Sequence, residues 1–109
     1  MKYFKLLLIA LTLLTPMVAY SKTPIVEIKI RGHLFYPTEV IVPANTKIKL
    51  FVINEDPTPE EFESYELNRE KVIMGYGKAI IFIGPLDPGE YPFFGEFNMS
   101  TALGKIIAE

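Results

Sequence analysis

Lys47-Ile48-Lys49-Leu50-Phe51-Val52-Ile53 starts by alternating charged and apolar residues and then turns apolar on both faces. A central strand of a two-sheet sandwich reads this way, because its last residues are covered from both sides. Toward the N-terminus, Glu39-Val40-Ile41-Val42 is a second short run, closed by the turn sequence Pro43-Ala44-Asn45. Ile25-Val26-Glu27-Ile28-Lys29-Ile30 alternates with period two, as a half-buried strand does, and Gly32 ends it. It is taken as an edge strand, whose Lys and Glu discourage open-ended pairing. Toward the C-terminus, Asn54 to Pro59 is a Pro-broken loop and Lys71-Val72-Ile73 a short extended piece. Ala79-Ile80-Ile81-Phe82-Ile83 reads as a fully buried strand, followed by the double turn signal Pro85-Leu86-Asp87-Pro88-Gly89. Glu90–Phe94 and Gly104–Ala108 are the closing strands. Phe62–Asn68 has room for a turn or two of helix and no more. Seven or eight short strands between Gly and Pro turns predict an all-β, two-sheet sandwich.

Within this pattern lies Pro59-Glu60-Glu61-Phe62-Glu63-Ser64. Seven of the thirteen acidic residues fall between Glu55 and Glu70. Carboxylates packed so densely repel one another unless water or a cation separates them. Phe62 has to be buried, and burying it pins Glu61 and Glu63 beside it. In a strand those two carboxylates share one face and Phe62 takes the other.

The length of 109 residues allows one domain. Lys2 and Lys5 precede the apolar run Leu6–Leu14, Pro16 breaks it, and Ala19-Tyr20-Ser21 supplies small residues where a signal peptidase reads. The expected organisation is a signal peptide over residues 1–21, cleaved on export to the periplasm, and one domain over 22–109. The apolar run is too short for a spanning helix. Membrane contact is therefore expected only through the signal peptide before cleavage. Cleavage removes two lysines and no acid, which makes the net charge of −2 more negative still. Such a chain has no basic footprint for nucleic acid. It has no cysteine, hence no disulfide, no thiolate nucleophile and no thiolate metal ligand.

One histidine and no cysteine leave no nucleophilic triad to assemble. A pair of glutamates would suffice for glycoside hydrolysis, but a chain this small cannot build the sugar cleft that chemistry uses. The expectation is that the protein is not an enzyme. Carboxylates, one imidazole and thioethers remain as possible metal ligands. An oxygen-rich site with one His suits iron or Cu(II). His33 lies in Gly32-His33-Leu34-Phe35-Tyr36-Pro37, between the first two strands.

The order of residues over the mature chain resembles the cupredoxin-like domains. The framework is His33-x-Phe35-x-Pro37, then Glu39-Val40-Ile41-Val42-Pro43-Ala44 and a strand ending at Asn54. It continues with Leu86-x-Pro88-Gly89-Glu90-Tyr91-x-Phe93 and Gly104-Lys105-Ile106-Ile107. Within that group the sequence is similar to the EfeO-type subgroup, small exported proteins found with bacterial iron-uptake systems. Thr58-Pro59-Glu60-Glu61-Phe62-Glu63-Ser64, Arg69-Glu70-Lys71-Val72-Ile73 and Gly89–Phe97 carry that likeness.

The resemblance implies a cupredoxin-like Greek-key sandwich with antiparallel and mixed pairing. It also implies where a blue-copper protein would place its ligands. A His would stand at Glu60 or Glu61, a Cys at Gly95, a second His at Asn98 and an axial Met near Thr101 or Ala102. None of these is present. The EfeO-type likeness instead implies a copper or iron ion on Glu61 and Glu70, with Glu60 and His33 as further candidates. Its implied partners are a periplasmic iron-binding protein and an inner-membrane iron permease. The relatives' His at the position of Asn98 is replaced by an amide, a far weaker ligand, which favours the other reading, a metal-free scaffold used as a protein–protein interaction module.

Overall fold

The structure, a computed structural model, describes residues 22–109. The signal peptide expected over residues 1–21 lies outside them. Among the described residues nine strands form two sheets: β1 Ile25–Arg31, β2 Leu34–Tyr36, β3 Glu39–Val42, β4 Ile48–Asn54, β5 Glu60–Ser64, β6 Arg69–Ile73, β7 Lys78–Ile83, β8 Gly89–Gly95 and β9 Leu103–Ala108. One sheet runs β2-β1-β4-β7 and the other β3-β9-β8-β5-β6. The β1–β4 and β3–β9 pairs are parallel and every other pair is antiparallel, so both sheets are mixed. A single 3-10 turn, Glu96–Asn98, joins β8 to β9.

Nine strands stand where seven or eight were expected. The two additions have local causes. β2 closes a hairpin on β1 through Gly32 and His33, whose φ values of 59° and 60° suit a two-residue turn that matches strand twist. The Asp56 carboxylate accepts hydrogen bonds from the backbone N–H of Gly32 (2.8 Å) and His33 (2.9 Å) and fixes that turn. Those bonds, that of His33 foremost, hold the Asp56 carboxyl below its usual range. β5 is the second addition. Its five residues alternate in burial rather than starting a helical turn, because Glu60, Phe62 and Ser64 all find partners inside. The chain turns only afterwards, where Ser64 Oγ donates to the Pro92 carbonyl (2.6 Å) and accepts from the Leu67 N–H (3.1 Å).

Two further expectations are corrected. β1 is held by β4 over Ile25–Ile30 but by β2 only over Lys29–Arg31, so it is interior in its second half and keeps the expected open edge only over Ile25–Ile28. β7 is not fully buried: it lies at a sheet edge and alternates, with Ala79, Ile81 and Ile83 inside and Lys78, Ile80 and Phe82 outside. β4 is central, as its pattern predicts, between β1 and β7.

The core is apolar and draws on both sheets. Phe35 of one sheet meets Phe62 and Phe93 of the other, with ring centroids 5.0 Å apart for Phe35–Phe93 and 4.9 Å for Phe62–Phe93. All three rings are buried. Asn54, also buried, ties the β4–β5 loop to the end of β6: its Nδ2 donates to the Thr58 carbonyl (2.8 Å) and to those of Ile73 and Met74 (both 3.2 Å).

A carboxylate cluster on the outer face of β5 and β6

Period-two alternation along β5 sends Phe62 into the core and turns Glu61 and Glu63 outward together. β6 pairs with β5 in a register that sets Glu70 directly opposite Glu63. Carboxylate oxygens of Glu61, Glu63 and Glu70 then lie within 4.8 Å of one another. Glu96, on the 3-10 turn, adds a fourth: Glu61 and Glu63 are hydrogen-bonded to it. The cluster opens onto shallow grooves, one of about 480 Å³ beside Glu63 and Glu70 and one of about 270 Å³ beside Glu61 and Glu70.

Four carboxylates this close cannot all ionise at their ordinary pH. The hydrogen bond to Glu96 pushes the Glu61 carboxyl up from 4.5 to about 7, with burial and the charges of Glu96, Glu63 and Glu70 acting in the same direction. Glu63 is raised for the same leading reason. Glu96 is lowered, because it accepts the hydrogen bonds that protonated Glu61 and Glu63 donate. The set thus retains a proton in a pH range where isolated carboxylates hold none.

Among the described residues, no basic side chain forms an ion pair with these four. The nearest arginine is occupied elsewhere. Arg69 Nε donates to the Phe82 carbonyl (2.8 Å) and its Nη1 to the Asn68 carbonyl (2.9 Å), which stitches β6 to β7 across the sandwich edge. Outside the carboxylate cluster, Glu63 Oε2, shielded from solvent, has no hydrogen-bond partner. Carboxylates that have only one another and shared protons as partners, with no basic side chain among them, are an arrangement that a bound cation would complete by displacing those protons.

Glu60 plays a different part. It is buried, on the opposite face of β5 from the cluster. Its Oε1 accepts from the Glu61 N–H (2.8 Å) and the Phe97 N–H (2.9 Å), and its Oε2 from Asn98 Nδ2 (2.7 Å). Gly95 makes room for it, since a Cβ there would stand 2.7 Å from the Glu60 carboxyl carbon and 2.9 Å from Ala102 Cβ. Glu60 therefore clamps the 3-10 turn onto β5, and that clamp delivers Glu96 to Glu61 and Glu63.

Of the four residues singled out from sequence, Glu61 and Glu70 are brought together. Glu60 is committed to the clamp, and His33 sits on the β1–β2 turn of the other sheet, exposed, with Nδ1 3.8 Å from Asp56 Oδ2. Neither belongs to the group whose oxygens converge. Glu63 and Glu96 were missed. Alternation around Phe62 was signal enough for Glu63, whereas nothing local links Glu96 to a residue more than thirty positions earlier.

Residues 4–108 match the family model described as the cupredoxin-like domain. An uncharacterized protein of Rickettsia prowazekii (strain Madrid E) is 49% identical over 82 residues, which cover 75% of this chain and 66% of that protein. This chain thus spans just under two thirds of that relative's length. The fold is similar to the metal-binding domain of the Cu(I)-exporting P-type ATPase CopA of Streptococcus pneumoniae D39. The TM-score is 0.71 at 15% identity, covering 84% of this chain and 92% of that one. Auracyanin A of Chloroflexus aurantiacus, a "blue" copper protein, has a TM-score of 0.69 at 10% identity, covering 81% of this chain and all of its own. At such identities these likenesses concern the fold.

Proposed function

The chain belongs to the cupredoxin-like domain family, and from that premise we propose that it is a cation-handling member that has exchanged the family's copper chemistry for a surface carboxylate site. Glu61, Glu63 and Glu70 would hold an iron or Cu(II) ion, with Glu96 beside Glu61 and Glu63. The observation that carries this reading is the cluster itself, whose carboxylates converge with no basic side chain among them and with Glu63 Oε2 partnered by nothing outside it. Carboxylate oxygens are hard donors, suited to Cu(II) and to iron in preference to Cu(I). In the setting that the EfeO-type likeness implies, the domain is exported to the periplasm. There it takes the ion from an iron-binding protein and passes it to an inner-membrane permease. Its role is transfer and not catalysis.

A resident blue-copper centre does not fit these residues. The chain has no cysteine. The positions where such ligands would stand do converge, but on each other: Glu60 against Gly95, Asn98 and Ala102, closed by hydrogen bonds. That closure also supports the second reading, a metal-free scaffold that serves as a protein–protein interaction module.

Titration with Fe(II), Cu(II) and Zn(II), followed by calorimetry and thermal melting, separates the two. Micromolar or tighter binding that raises the melting temperature and disappears in Glu61→Gln is expected, because a ligand that binds only the folded state stabilises it. A melting temperature unmoved by every ion would remove the metal reading and leave the scaffold.

A further inference from the structure

The outer face of β4 and β7 carries apolar residues where alternation in a solvated sheet calls for polar ones. Phe51 pairs across the strands with Ile80, Lys49 with Phe82, and Ile53 with Lys78. Ile80 is 50% and Phe82 45% exposed. Lysine flanks this row, and on β1 Glu27, opposite Phe51, is paired with Lys29 at 3.9 Å. Lys47 Nζ stands 4.9 Å and Lys49 Nζ 5.5 Å from the Phe82 ring centroid, and Lys78 Nζ stands 6.0 Å from that of Phe51. Lys71 and Lys78 line a shallow cavity of about 350 Å³ with Phe51 and Ile80. Among the described residues, Lys47, Lys49, Lys71 and Lys78 make no ion pair.

The chain is acidic overall, yet Lys47, Lys49 and Lys78, all without an ion pair, gather on one apolar face, while Lys71 stands beside Glu70 on β6 of the sheet that carries the carboxylate cluster. Segregated charge of this kind steers the lysine face toward an anionic surface. The type of cation indicates which surface. Protein interfaces are depleted in lysine and favour arginine, tyrosine and tryptophan; this face has no tryptophan, and Arg69 and Arg31 are engaged with backbone carbonyls and with Glu55. Lysine can lay its alkyl stem along an apolar boundary and keep its ammonium in water. A face-to-face contact between two copies would oppose the lysines of each.

We propose that the β4–β7 face, with Phe82 and Ile80 flanked by Lys47, Lys49 and Lys78, docks on an anionic lipid surface. The carboxylate cluster, carried by the other sheet, then remains open to solvent and free to exchange its cargo.

The test is co-sedimentation of the full chain with vesicles of phosphatidylcholine alone and with vesicles that also contain phosphatidylglycerol. Lys2, Lys5 and the apolar run Leu6–Leu14 act equally in the unaltered chain and in its variants, so the change in anionic preference between them reads the face. The expected result is a preference for anionic vesicles that added salt suppresses. Each lysine is worth about a factor of five, so Lys47→Ala/Lys49→Ala/Lys78→Ala lowers the preference about a hundredfold. Phe82→Ser weakens binding while leaving the salt dependence in place. Should the triple variant not fold, the single variants Lys47→Ala, Lys49→Ala and Lys78→Ala, each expected to lower the preference about fivefold, carry the same test. Equal binding to both vesicle types, or a preference that survives in the folded triple variant, overturns the proposal. So does a lysine dependence seen only in self-association or in capture of an acidic protein.

Discussion

Glu60→Ala deletes a buried carboxylate that accepts three hydrogen bonds, from the Glu61 and Phe97 N–H groups and from Asn98 Nδ2. Hydrogen bonds to a charged acceptor contribute about 1.5–3 kcal/mol each, and donors left buried without a partner add a desolvation cost. The three are not additive, since water can enter where the side chain is removed. A loss of about 3–5 kcal/mol is expected, a large share of the roughly 5–15 kcal/mol that holds a domain together. Glu60→Gln separates hydrogen bonding from charge. The introduced carbonyl can still accept from both N–H groups, but the introduced NH2 faces the Asn98 NH2, and the cost is about 1–2 kcal/mol. Asn98→Asp reverses that mismatch. Alone it sets two carboxylates together and destabilises; combined with Glu60→Gln it restores a donor–acceptor pair. Urea unfolding of all four proteins closes the double-mutant cycle. Strong positive coupling is expected, with the double variant more stable than Asn98→Asp alone. Additive costs, or a Glu60→Ala penalty below about 1 kcal/mol, would refute the clamp.

Three other outcomes follow from the same geometry. Because the Glu61 carboxyl is raised from 4.5 to about 7 in the folded state, the native protein binds a proton there that the unfolded chain releases. Metal-free stability should therefore fall as pH rises from about 4.5 to about 7 and level off above, the sign opposite to that of a salt-bridged carboxylate. Denaturant midpoints across that window should show it, and Glu61→Gln should flatten the slope. Phe62→Ala should cost about 3–5 kcal/mol in chemical unfolding, since it empties space against Phe35 and Phe93. Gly95→Ala should destabilise by about 1–3 kcal/mol, because its Cβ would meet the Glu60 carboxyl and Ala102; a neutral result would mean that the 3-10 turn moves aside.

Much of the sandwich was legible along the chain, because a strand that buries one face writes period two into its residues and the turns carry Pro and Gly. β1, β3, β4, β8 and β9 fall close to where that pattern placed them. β2 was not visible: three residues are too few to show a period, and a hydrogen-bonded turn anchored by distant Asp56 creates it. β7 was misjudged because a continuous apolar run is read as buried on both faces, and the sequence has no term for its place at a sheet edge. The same limit hid the Lys–Phe face, which exists only once β7 lies beside β4.

The site divides along the same line. By itself the sequence determined the density of carboxylate, the lack of any thiolate, and the pairing of Glu61 with Glu63 around a ring that must be buried. All of these are properties of composition or of neighbours along one strand. Only the tertiary structure decided that Glu70 faces Glu63, that Glu96 completes the cluster, that Glu60 is a clamp and that His33 stands apart in the other sheet. Register between strands and the path of the chain after β8 set those distances. Both follow from how the two sheets bury Phe35, Phe62 and Phe93 against each other, which no local pattern encodes.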